Sequence, residues 1–232
     1  MVQRTTQERV PGYRLDQTLT AVVRFRQTWN RFHRPDDLAH LLRLFRKVNL
    51  RRGYQLDYLA LRRADSHWIW PYARLSQPGS PSQPPPALRA IPPDRLAGER
   101  RGENLRSVEV DNLYRHLNYE RSPEGLAEYG FFVNELWATK SAEREADWLS
   151  LEPLVVRHAF DSILRREAKK LVRVARPDSF DPVAELSGAG GLVTFLAFQA
   201  GPWKRIVRIA LTVEADGLAT WEPVEVVASL SR

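Results

Sequence analysis

The chain has no cysteine in 232 residues. That excludes disulfides, cysteine-ligated zinc, iron–sulfur clusters and thiol catalysis. It has no apolar run of 18 or more residues, so no transmembrane helix is expected. The opening "MVQRTTQERVPGYRLDQ" lacks the apolar segment of a secretory signal, so export by that route is not expected. A cytoplasmic location fits these absences. Lysine is scarce as well. Of 35 basic residues only Lys47, Lys140, Lys169, Lys170 and Lys204 are lysine, and the other 30 are arginine.

Arginine makes bidentate contacts to phosphate and stacks on bases, so its excess suits a nucleic-acid partner. An arginine-favouring base composition of the gene explains the same excess without a function. The net charge of +7 adds weight to a polyanionic partner. With 43% hydrophobic residues the chain can bury a sizeable core.

Apolar spacing divides the chain into segments. Leu19, Val22, Phe25, Trp29 and Phe32 recur every three or four residues and predict a helix over 18–33, with a strand over "TAVVRFRQ" as the competing reading. Leu38, Leu41, Leu42, Phe45 and Val48 predict a second helix, capped by Asp36 or Asp37. Gly53 then launches "YQLDYLALRRADSHWIWPYAR", which reads as a hairpin turning near "ADS". With a two- or four-residue loop, Leu59 and Leu61 share a face with Trp68, Trp70 and Tyr72. Both faces are then largely apolar, which marks most of these aromatics as core.

Residues 76–93, "SQPGSPSQPPPALRAIPP", are too rich in proline for a helix or a ladder and read as a linker or surface loop. Beyond them Val110, Leu113, Tyr114 and Leu117 suggest a helical stripe. Another helix should follow a Ser122 cap, with Leu126, Tyr129, Val133, Leu136 and Trp137 inward, although Gly130 weakens it and "GFFVNELWA" as a strand is the competing reading. Val156, Phe160, Ile163, Leu164 and Leu171 predict a long helix with a basic outer face. "GLVTFLAF" is apolar on both faces, as in a central strand. "WKRIVRIALTVE" alternates, "ADG" is a turn, and "LATWEPVEVVASL" returns with Pro223 at an edge or bulge. The expected fold is α+β: N-terminal helices with a β-hairpin, a helical middle and a C-terminal antiparallel three-stranded meander. The expected division is 1–75, a connector at 76–95, and 96–232, which could pack with 1–75 as one domain.

Two basic clusters are the candidate nucleic-acid contacts. The first is Arg43, Arg46, Lys47, Arg51 and Arg52. The second is Arg165, Arg166, Lys169, Lys170 and Arg173, continuing to Arg176, with Arg166, Lys170 and Arg173 on one helical stripe. Arg62 and Arg63 at the hairpin tip join them. Rows of cations can follow a phosphate backbone, each neutralised phosphate releasing counterions. A solvated helix face, partly offset by Asp161 and Glu167, is the plainer explanation.

Catalytic signals are weak. Glu167-Ala168-Lys169 has the spacing of a metal-dependent nuclease core, but it lies in a helical pattern rather than a strand. Arg62 and His67 have a spacing that some helical ribonucleases use, but here it straddles a turn. The glycine loop "SGAGGLVT" has no lysine followed by serine or threonine and leads into a strand, so it reads as a turn and not a phosphate loop. The five histidines show no metal-ligand spacing, and no metal or cofactor is expected. The leading expectation is a non-catalytic nucleic-acid-binding protein, favouring RNA or single-stranded DNA, as a subunit of a nucleoprotein complex. A nuclease and a scaffold for an acidic protein partner are the alternatives.

Overall fold

Residues 6–32, 35–63, 66–76, 112–139, 151–199 and 204–230 are described by the computed structural model. Strand β1 (Thr6–Arg9) leads into helices α1 (Gly12–Phe32) and α2 (Pro35–Leu44). Of the stripe expected on α1, Leu19 and Val22 are buried and Phe25 partly so, while the side chains of Trp29 and Phe32 lie outside the described residues. The helix starts earlier than its spacing suggested, because the Gly12 N–H is met by Asp181 Oδ1 at 2.8 Å. On α2, Leu38 and Leu41 are buried, as is Phe45 just beyond it. Val48, expected on the same helical stripe, lies instead in a strand, because it pairs with Tyr119. The side chains of Asp36 and Asp37, the expected cap, lie outside the described residues.

A short strand β2 (Val48–Leu50) precedes the hairpin β3 (Tyr54–Arg63) and β4 (Ser66–Leu75). Gly53 starts it at φ 86°, a left-handed conformation that glycine adopts without strain. The register pairs Asp57 with Tyr72, Leu59 with Trp70 and Arg63 with Ser66, so the loop has two residues, 64 and 65, outside those described. Leu56, Trp70, Tyr72 and Ala73 are all buried, so both faces of the hairpin base are covered. Those aromatics are core. Buried Asp57 is held by Arg74 Nε at 2.6 Å.

The proline-rich stretch after Ser76 lies outside the described residues. The chain is described again at a single helical turn, α3 (Asn112–His116), and strand β5 (Leu117–Tyr119), which pairs with β2. The helical stripe expected to reach Leu117 is therefore wrong at that residue. The β2 partner draws Leu117 into a ladder. Helix α4 (Pro123–Thr139) follows, with the Ser122 hydroxyl accepting the Gly125 N–H at 3.1 Å. Its described side chains from Leu126 to Leu136 are buried all round, as in a helix enclosed on every side.

What encloses it is the largest departure from expectation. After β6 (Leu151–Pro153) and α5 (Arg157–Arg166) come a 3₁₀ turn (Ala168–Lys170) and β7 (Leu171–Val174). Strands β8 (Val183–Ser187), β9 (Gly190–Gln199), β10 (Arg205–Val213) and β11 (Ala219–Leu230) complete the chain. They form one antiparallel sheet in the order β1-β8-β9-β10-β11-β7, with β6 beside the far half of β9. The sheet curls into a half-barrel. The expected helical middle with a three-stranded meander is thus corrected: the described residues hold eleven strands and five α-helices. The meander β9-β10-β11 is only the centre of the sheet. Its additions are short strands whose local patterns are weak and whose partners are remote in sequence.

β9 fits its central place, with β10 on one edge and β8 then β6 on the other. Val193, Phe195, Val207, Ile209 and Leu211 meet α4 and the N-terminal helices in the main core. On the other face, Leu196, Phe198 and Ile206 pack with Phe160 and Ile163 of α5. Pro223 sits beside a register shift between Arg208 and Ile209, the bulge its missing N–H requires. The main core draws on residues from both sides of the proline-rich stretch, from Val10 to Ala219. No helix of the described residues is long and apolar enough to cross a membrane.

Candidate functional site

The first cluster does not survive as five equivalent cations. Arg43, Arg46, Arg51 and Arg52 are exposed. Lys47 is spent: its ammonium is 2.6 Å from Glu120 and 3.6 Å from Glu124, and its N–H donates to Glu128 Oε2 at 2.8 Å. The hydrogen bond to Glu120 raises the Lys47 pKa and lowers that of Glu120. Burial pushes the Glu128 carboxyl upward, against the pull of the Lys47 amide.

The pairing of β2 with β5 brings Arg51 beside Arg115. The Arg51 N–H donates to the His116 carbonyl at 2.8 Å. The His116 ring stacks on Tyr54 with centroids 3.8 Å apart. Burial and then these two guanidinium groups hold His116 below its ordinary pKa. Arg51 and Arg115 open onto a cleft of about 530 Å³ between α3, β5, α4 and the β8–β9 and β10–β11 turns.

Most polar groups deep in this cleft are committed. Arg121 donates to Tyr119 Oη and to the Ala189 carbonyl, each at 2.8 Å, and to the Gly188 carbonyl. It staples the β8–β9 turn in place. Gly188, at φ 53°, makes that turn, as the glycine loop suggested. Tyr129 Oη donates to the Gly217 carbonyl at 2.6 Å, and burial lifts its pKa well above the ordinary value. Gly217 is required there: a β-carbon would lie 2.6 Å from the Tyr114 carbonyl. Glu214 and Asp216 line the same cleft from the β10–β11 turn, with Asp216 Oδ1 accepting the Leu218 N–H at 3.0 Å.

The second cluster is arranged differently from the helical stripe expected of it. Arg165 and Arg166 end α5, Lys169 and Lys170 lie in the 3₁₀ turn, and Arg173 is in β7. The long helix stops at Arg166 because Leu171–Val174 pairs with the end of β11, Arg173 opposite Ser229. Arg166, Lys170 and Arg173 therefore share no helix face. They follow a bend onto the edge of the sheet instead. Arg166 sits 5.2 Å over the Phe198 ring and 3.8 Å from Glu152. Arg165, Lys169, Lys170, Arg173 and Arg176 are exposed and have no carboxylate within ion-pair distance among the described residues.

Glu167 is held between Lys204 at 3.3 Å and Arg166 at 3.6 Å, with its side chain only 10% exposed. Its carboxylate is already neutralised, and it lies at the end of a helix beside Lys169. No group of three or more metal-ligating side chains is found among the described residues. Arg62 and His67 are register partners across the hairpin, and Arg63 pairs with Ser66. The side chains of all four lie outside the described residues.

Sequence reading passed over Arg115, Arg121, Tyr119 and Glu214. Nothing in their local pattern marks them. Arg115 lies far from Arg51 in the chain and meets it only through the β2–β5 ladder. No protein-family model, curated protein or solved structure matches this chain.

Proposed function

We propose that this protein is a non-catalytic nucleic-acid-binding protein that contacts phosphates through the bend joining α5, the 3₁₀ turn and β7. It acts in the cytoplasm as a subunit of a nucleoprotein assembly, and its partner is RNA or single-stranded DNA. One observation carries the reading: five exposed cations, Arg165, Lys169, Lys170, Arg173 and Arg176, crowd this edge without carboxylate partners among the described residues. Like charges placed together repel, and a polyanion relieves that repulsion while releasing counterions. The mixed secondary structure under them varies their direction, which suits backbone contact and not base reading.

The test is binding of a labelled single-stranded RNA across a salt series. Five neutralised phosphates give a log–log salt slope of about −3.5, so affinity falls about 100-fold from 50 to 200 mM salt. Alanine at Lys169, Lys170 and Arg173 should reduce the slope to about −1.4. An unchanged slope would remove this edge from the interface. Absence of binding at low salt to RNA, single-stranded DNA and duplex DNA would refute the function. Cleavage in magnesium would replace it with a nuclease.

A further inference from the structure

The cleft between α3, β5 and the two hairpin turns carries an arrangement that the proposed polymer contact does not use. Arg51 and Arg115 reach it from the end of β2 and from α3, and Glu214 and Asp216 from the β10–β11 turn. Opposite charges facing one cleft normally close into ion pairs when they can reach. Here no ion pair within 4 Å joins Arg51 or Arg115 to Glu214 or Asp216. The space between them is about 530 Å³, within the range of sites for a small organic ligand. Tyr119 gives that space an aromatic side, its ring 5.1 Å from Tyr129 and 5.6 Å from the Arg121 guanidinium. Exposed Asn118 adds an amide that can both donate and accept.

A complementary ligand has a strong anion at one end, hydrogen-bond donors at the other and a flat ring between or beside them. We propose that this cleft binds a nucleoside monophosphate, either free or as the terminal unit of a strand. The phosphate lies on Arg51 and Arg115, where two guanidinium forks match its oxygens. The donors of the sugar or base face Glu214 and Asp216. The base lies along the Tyr119 side. A bare anion satisfies only the arginines, and a nucleoside only the carboxylates. The site is built from residues separate from the α5–β7 edge, so either proposal can fail without the other.

Isothermal titration calorimetry of the full chain with each ribonucleoside monophosphate tests this, with inorganic phosphate and the free nucleosides as separate probes. A saturable site with one nucleotide per chain is expected, at least about 10-fold tighter than phosphate or nucleoside alone. Arg115→Ala should weaken the nucleotide about 10- to 100-fold. Glu214→Gln should weaken the nucleotide and leave inorganic phosphate unaffected. Both residues are exposed, and matching far-UV spectra will show that the variants fold. A 5′-phosphorylated oligonucleotide that displaces the nucleotide supports a strand end as the natural source. Failure to displace it supports the free nucleotide. The proposal is overturned by the absence of saturable binding, by equal affinity for inorganic phosphate, or by wild-type affinity in both variants.

Discussion

Gly130 of α4 lies against Leu211 and Val193 of the sheet. A β-carbon there would lie 3.2 Å from Leu211 Cδ2 and 3.8 Å from Val193 Cγ2. Carbon atoms attract best at about 3.5–4.0 Å, so alanine forces only a small movement of a flexible leucine end. Alanine also gains about 1 kcal/mol of helix propensity over glycine. These effects oppose each other, and Gly130→Ala should fall within about 1 kcal/mol of wild type. Leucine at 130 has further carbons and nowhere to place them, because Leu211 and Val193 are themselves fully buried. Its overpacking should cost about 3 kcal/mol, moving the urea midpoint down by about 1 M or more. Leu211→Ala alone should cost about 3–5 kcal/mol by leaving a cavity. Combined with Gly130→Leu, the larger residue fills part of that cavity. The double variant should then be more stable than the two costs added, by about 1–3 kcal/mol. Urea unfolding followed by tryptophan fluorescence and far-UV circular dichroism reads each value. A wild-type midpoint for Gly130→Leu, or strict additivity in the cycle, would show that α4 does not lie against β10 at this spacing.

Ser122→Ala removes the hydroxyl that accepts the Gly125 N–H and should cost about 1 kcal/mol in the same urea assay. Burial raises the Glu128 pKa, so its ionised form opposes folding, and its contribution to stability rises as pH falls through the raised value. Glu128→Gln keeps an acceptor for Lys47 and should be at least as stable as wild type at pH 7. The difference should close below the group's ordinary value of 4.5, and a constant difference from pH 4 to 8 would contradict this. Arg121→Ala frees the carbonyls of Gly188 and Ala189. It should cost about 1 kcal/mol, the clamp being solvent-exposed, and speed amide exchange at the β8–β9 turn.

Local spacing was enough for those elements whose partners hardly change their character. The α2 stripe as far as Phe45 and the Ser122 entry to α4 were legible because an apolar stripe or a capping hydroxyl marks a helix whatever packs against it. The alternation of β10 marked a strand, but a half-buried one, whereas Ile206 and Ala210 bury its second face as well. The hairpin and the burial of its aromatics followed from tryptophan and tyrosine too apolar to leave in water, but its register stayed open until the structure set Arg63 opposite Ser66. Gly130 read as a flaw in a helix, and its reason appears only with Leu211 beside it. β7 read as helix because Leu171 continued a helical spacing, and only the end of β11 makes Leu171–Val174 a strand. β1, β6 and β8 are three to five residues long, too short for a period to show.

The candidate sites divide in the same way. Charge and exposure at Arg165, Lys169, Lys170 and Arg173 could be read from composition and pattern, but their course around a bend could not. The meeting of Arg51 with Arg115, and of both with Glu214 around one cleft, has no trace in the sequence. The sequence alone determined which segments carry an apolar side and which carry charge, because side-chain chemistry and chain period are local. Tertiary structure decided which strands pair and which charges face each other, because both depend on contacts between residues far apart in the chain.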